Sequence, residues 1–231
     1  MNTVVAIHQP NYLPWLGYFW KLARADFFVF LDDVQFTKGG YTNRVQIDAA
    51  GEARWLTLPV RVHLGQRIDE ITLSRPDWRA AHLDTLATHY RRAPHFATIR
   101  DWLHDAFASA PERHLGAINR HLIEKTAAAL KLETRLFSSS ALDTGTAQGT
   151  ARLVRIVEAA APGATYLAGR GADAYQDQVA FSQAGIALAR TDFDPAPYDQ
   201  GHDGFLPGLS VIDAAFRLGW DATAALLRAR P

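Results

Sequence analysis

The N-terminal thirty or so residues constrain this chain more than any other stretch, because they read as strand, helix and strand in succession. Thr3 to Ile7 is a β-branched run of the kind a buried strand carries. Pro10 and Pro14 then break the chain, and Pro14 is expected in the first turn of a helix, where its missing N–H costs nothing. From Trp15 to Ala25 apolar residues recur at helical spacing, and Lys21 and Arg24 suit the negative end of the helix dipole. Phe27 to Leu31 is a second buried strand. Strands joined by a helix of this length lie parallel and side by side, so the chain begins with a βαβ unit.

The pattern then changes. Arg44 to Val60 reads as a hairpin about a Gly-containing turn, and "IDEITLS" as a further short strand. Pro76 to about Lys131 is helical in period and is broken near Pro94 and Pro111, which gives three helices. "TRLFSS" is a strand. It is followed by a helix from Thr150 to Ala161, a strand from Thr165 to Ala168, a helix from Asp173 to Ala184 and a strand from Ile186 to Thr191. Two helices close the chain, around Ser210 to Leu218 and Asp221 to Arg228. The expected architecture is α/β: a three-layer, Rossmann-like parallel sheet carrying a hairpin and a helical insertion. It would form one domain over 1–231, with a helical subdomain at about 75–131.

Composition narrows the chemistry. No cysteine occurs, which excludes disulfides, thiolate metal sites and a cysteine nucleophile. Twenty-four basic residues balance twenty-four acidic ones, so no net field favours nucleic acid or an anionic membrane. No apolar stretch is long enough to span a bilayer, and a soluble cytoplasmic protein is expected. The nine histidines show no metal-ligand spacing; His82 and His89, on one helix face, read as surface or interface residues. No G-x-S-x-G elbow is present.

Ligands of open α/β sheets bind beyond the carboxyl ends of the strands. Three segments deliver polar groups there: "HQPNY" after the first strand, "DDVQFTKGGYTNR" after the second, and "AGRGADAY" after the strand at Thr165. His8 stands at a strand tip and is the first candidate for acid–base work. Asp32 and Asp33 are alternative bases, since neighbouring carboxylates raise one another's pKa. Gln9, Asn11 and Asn43 are candidates for holding a sugar or a donor. Lys38, Arg44 and Arg170 are candidates for phosphate contacts, with Gly169 letting backbone amides approach an anion. Tyr12, Gln35, Tyr41 and Tyr175 complete the candidate wall. Tyr198 and Gln200 belong to a Pro- and Gly-rich loop expected to close over the "HQPNY" edge, where packing alone gives no reason for them. Ser210 and Asp213 stand near the capping-box pattern of the next helix. Trp55 and Trp78 read by default as packing residues.

"HQPNYLPWLGYFWKL", "DDVQFTKGGYTNR", "AGRGADAY" and "PYDQGHDGFLPGLSVID" together closely resemble the WbqC-like family over nearly the whole chain. The resemblance implies a place in bacterial surface-polysaccharide (O-antigen) or related biosynthesis. It also implies an acyl or aminoacyl transferase that forms an amide on an amino sugar or similar amine. The partners implied are a small-molecule amine or nucleotide sugar, and a donor carried by a nucleotide, an acyl carrier or an aminoacyl carrier. No resident cofactor is assigned. Two alternatives stay open: a nucleotide-dependent activating enzyme, and a non-catalytic binding partner in polysaccharide assembly. "QPNYLPWLGY" also looks like the first element of HIGH-type nucleotidyltransferases. Trp15 and Tyr18 stand where that class has its two catalytic histidines, which removes the groups that bind its triphosphate.

Overall fold

A computed structural model describes residues 2–169 and 177–228. Its centre is a five-stranded parallel sheet of β1 (Val4–His8), β2 (Phe27–Phe30), β7 (Arg135–Ser138), β8 (Thr165–Ala168) and β9 (Ala187–Arg190), in the order β7-β2-β1-β8-β9. The N-terminal βαβ unit forms as the sequence predicts, with helix α1 (Leu16–Ala23) joining β1 to β2 and His8 in register with Phe30. Trp15 is the N-cap of α1, so Pro14 lies one residue before the cap rather than in the first turn. Leu13 adopts φ 39°, a left-handed conformation that costs a non-glycine residue about 1–2 kcal/mol. The Ser210 hydroxyl donates to its carbonyl at 2.7 Å and holds the turn in place.

Residues on β1 alternate between two cores, as the pleat requires. Val5 and Ile7 face a smaller cluster with Val29, Ile156, Tyr166 and Phe181, to which helices α5 (Gly149–Ala160) and α6 (Gln178–Gln183) contribute. Ala6 faces a larger cluster containing Phe19 of α1 and Phe216 of α7 (Val211–Arg228). Helix, sheet and helix therefore form three layers.

Between β2 and β7 lie the antiparallel hairpin β3 (Arg44–Asp48) and β4 (Ala53–Thr57), and the short pair β5 (Val60–Arg61) and β6 (Thr72–Leu73). Helices α2 (Trp78–Tyr90), α3 (Phe96–Ala108) and α4 (Leu115–Ala129) follow, interrupted around the two expected prolines. Trp78, Ile99 and Ile118 belong to the same buried cluster as Phe19 and Phe28, so this segment shares the core of one sheet face. The two expected C-terminal helices are present as α7, kinked at Gly219 with φ 77°. Here a Cβ would lie 2.9 Å from His95 Cε1, so both the backbone and the space call for glycine.

The strand order defines where a ligand can sit. From β1 the chain proceeds to β2 and β7 in one direction; β8 and β9 continue from the other side of β1. The loops leaving β1 and β8 must therefore part, which opens a crevice at their carboxyl ends.

Candidate functional site

That crevice is occupied by a cavity of about 400 Å³, within the range of small-molecule sites. His8 at the end of β1, Gly169 after β8 and Thr191 after β9 supply its sheet edge. Leu16, Gly17, Tyr18 and Lys21 of α1, with Trp15, supply one wall. The connection between β9 and α7 crosses the remaining side with Phe193, Tyr198 and Phe205–Leu209.

Lys21 is the group the sequence hides. Its side chain is only 3% exposed, and its ammonium donates to the Ile7 carbonyl at 2.7 Å. Burial lowers its pKa from 10.5 to about 7, so a substantial fraction is neutral amine near neutral pH. Gly17 lies one helical turn earlier on the same face. A Cβ there would meet Trp15 Nε1 at 2.8 Å and Phe193 at 3.3 Å, so glycine keeps this wall of the cavity open. The sequence signal was available: a lysine inside the otherwise apolar octamer "LGYFWKLA", where lysine is seldom buried. Reading Lys21 as a complement to the helix dipole missed it.

His8 stands beside it, half-buried, with its ring 4.8 Å from Tyr18 and 5.8 Å from Trp15. Burial first, and the Lys21 charge second, lower its pKa to about 3, so its imidazole is neutral at physiological pH. The Tyr18 hydroxyl donates to the Gln9 carbonyl at 3.1 Å, which fixes the strand tip against α1.

The β9–α7 connection is anchored rather than free. Tyr198 donates to Asp213 Oδ2 at 2.5 Å, and Asp213 is fully buried, with its pKa raised by that burial. Gln200 is also fully buried; its amide nitrogen donates to the Leu206 carbonyl at 3.0 Å and its oxygen accepts from the Leu206 N–H at 2.7 Å. The loop thus has a packing need for Gln200, contrary to the sequence expectation, and Gln200 does not line the cavity. Ser210 caps α7 by accepting from the Ile212 N–H at 3.3 Å. Its own N–H donates to the Gln46 carbonyl, so Asp213 does not close a capping box and instead tethers the loop.

The sequence-predicted wall divides accordingly. Of His8, Asn11, Asp32, Lys38, Asn43, Arg44 and Arg170, expected to share one cleft, His8 lines this cavity, and Arg170 lies outside the described residues. Asp32 and Asp33 sit at the same sheet edge but are turned toward β7 and α5. Asp32 accepts from the Ser140 N–H at 3.0 Å and the Ser140 hydroxyl at 2.9 Å, and Asp33 pairs with Arg152 and accepts from Ser139. Tyr12 points into the helical layer, its hydroxyl 2.7 Å from His82 Nδ1. His82 is therefore a buried core residue, not a surface one, and its pKa is lowered to about 4 by burial. Asn43 donates to the Leu58 carbonyl at 3.0 Å and ties down the hairpin, and Asn11 is buried. Gln35 and Lys38 are exposed in the loop after β2. Trp78 is core, whereas Trp55 and Tyr41 are partly exposed. Tyr41 lies 5.2 Å from the cavity residue Trp15 and 5.5 Å from Trp55, and the Arg44 guanidinium covers Trp55 at 4.1 Å. Arg170 and Tyr175 lie outside the described residues.

A parallel, doubly wound sheet with a built cavity at its switch point places the chain among α/β proteins with a small-molecule-sized crevice. More narrowly, the WbqC-like protein family model matches residues 9–225, and the chain belongs to that family. It is similar to the uncharacterized protein Rv1507c of Mycobacterium tuberculosis strain H37Rv, at 36% identity over 222 residues, covering 94% of this chain and 95% of that protein. No helix among the described residues is long and apolar enough to cross a membrane.

Proposed function

We propose that the cavity is the active site of an acyl or aminoacyl transferase that forms an amide on an amine acceptor such as an amino sugar, in surface-polysaccharide or related biosynthesis. The observation that carries this reading is Lys21: a buried amine with a pKa of about 7, opening onto a cavity with aromatic walls. Amide formation requires a neutral acceptor nitrogen to attack an acyl carbon, and the nitrogen must then lose a proton. In this reading the C–N bond forms and the bond from the acyl carbon to its carrier breaks. The carrier atom leaves with the electron pair, and neutral Lys21 takes the proton from nitrogen. A base with a pKa near the working pH suits that step. Asp32 and Asp33, engaged with Ser139, Ser140 and Arg152, give up the base role assigned to them from sequence. Neutral His8 orients the acceptor, and the loop bearing Phe193 and Tyr198 excludes water from the acyl donor.

A second reading, nucleotide-dependent activation of a substrate, is favoured by one observation: the cavity lies at a topological switch point, where doubly wound sheets bind nucleotides. One experiment separates the two. The purified protein is incubated with thioester and aminoacyl donors and amino-sugar acceptors, with and without ATP or CTP, and products are weighed by mass spectrometry. Transfer predicts an amide without pyrophosphate release, and a Lys21→Met variant with kcat reduced at least a hundred-fold and KM little changed. Pyrophosphate release dependent on acceptor favours activation instead. Amide formation at full rate by Lys21→Met overturns the assignment of the base.

A further inference from the structure

A second concavity, of about 330 Å³, shares no lining residue with the first. The connection that lends Tyr198 and Phe205–Leu209 to the cavity lends Gly201 and His202 to this pocket. Arg91, Arg92 and His89 reach it from the end of α2, and Arg217 from α7. Asp48 is its single carboxylate, set against three guanidinium groups. Arg217 donates to Asp48 Oδ2 at 3.1 Å, but its buried Nε has no hydrogen-bond partner. Buried His202 Nε2 is likewise without a hydrogen bond, 3.6 Å from the same carboxylate oxygen. Arg91 and Arg92 are exposed and form no ion pair among the described residues. Gly201 has φ 78°, and a Cβ there would fall 2.2 Å from Arg217 Nη1, so the bare backbone is what admits the guanidinium.

Cations at the end of α2 also complement its dipole, and Arg217–Asp48 is also an internal ion pair. Neither role accounts for guanidinium groups from two helices converging on one hollow whose only carboxylate is already shared. Guanidinium forks match tetrahedral oxyanions, and convergent arginines recognise them with charge-assisted bonds. We propose that this pocket binds a phosphoryl group, separately from the chemistry of the cavity.

Pyrophosphate, inorganic phosphate and a nucleoside diphosphate are the probes, titrated calorimetrically into the full-length protein at constant ionic strength. Pyrophosphate is expected to bind saturably, and the exposed double variant Arg91→Ala/Arg92→Ala to bind it at least ten-fold more weakly with an unchanged melting temperature. Lys21→Met is expected to bind it like the parent. A nucleoside diphosphate binding more tightly than pyrophosphate identifies a larger phosphorylated ligand, and equal affinity identifies the phosphoryl group alone; both support the site. Absence of saturable binding, or equal binding by the double variant, overturns it. So does loss of binding in Lys21→Met with retention in the double variant, which would place the anion in the cavity.

Discussion

Replacing Lys21 by methionine should make the protein more stable, and the gain should shrink as pH rises. The folded-state pKa of about 7 lies below the ordinary 10.5, so the folded state binds fewer protons than the unfolded state across that window. Stability contributed by this group therefore rises with pH from 7 to 10.5, and its penalty is largest at and below pH 7. At 1.36 kcal/mol per unit, a shift of this size corresponds to about 4–5 kcal/mol of burial cost near pH 7. Methionine has a similar length and no charge, but it forfeits the bond to the Ile7 carbonyl, worth about 2 kcal/mol for a charged donor. The net expectation is about 2 kcal/mol of stabilisation at pH 7, or roughly 4–8 °C in melting temperature for a chain of this size. Urea unfolding of both proteins at pH 7 and pH 9 should show the difference narrowing by about 2 kcal/mol, as the parent sheds its penalty. A variant no more stable than the parent at pH 7, or a difference that does not change with pH, would show that burial does not hold Lys21 below its ordinary pKa.

Acid should destabilise the fold through His8 and His82, whose pKa values of about 3 and 4 lie below the ordinary 6.5. Both are neutral when folded, so stability is lost as pH falls below 6.5, with His82 accounting for about 2–3 kcal/mol by pH 4.5; His82→Gln should flatten that slope in urea midpoints, and an unchanged slope would count against it. Gln200→Ala should cost about 1–3 kcal/mol, because it leaves the part-buried Leu206 N–H and carbonyl without their partner. A melting temperature equal to the parent's would show the loop anchored elsewhere. Gly219→Ala should cost at least about 2 kcal/mol, from positive φ and the approach to His95, read as a drop in melting temperature.

The fold was legible because its signals are local. Strand runs such as "TVVAI" and "FFVF", and helices ended near Pro94 and Pro111, need no long-range information, and β8 falls on the residues expected. The site was legible only at its edge. His8 and Gly169 follow from the rule that strand tips carry ligands, and both line the cavity. Polar residues in "DDVQFTKGGYTNR" carry the same local signal, yet the chain there turns toward the hairpin and toward β7. Their partners, Ser139, Ser140 and Arg152, lie more than a hundred positions away, and nothing local announces them. Lys21 was missed for the converse reason. Its apolar neighbours suggested only a buried helix, and the cavity that gives it a role is completed by Gly169 and by residues 191 to 209, far along the chain.

Whether Lys21 presents a neutral amine to a ligand-sized cavity is tested by its own titration. Competitive acetylation followed by peptide mass spectrometry can report the reactivity of Lys21 from pH 5 to 11, with exposed Lys38 and Lys125 as internal references. Lys21 should titrate near pH 7 rather than at the ordinary lysine value of 10.5, and become protected when an acyl donor or amine acceptor fills the cavity. Titration of Lys21 near the ordinary 10.5, or no protection by any ligand that binds, would contradict a neutral amine facing the cavity.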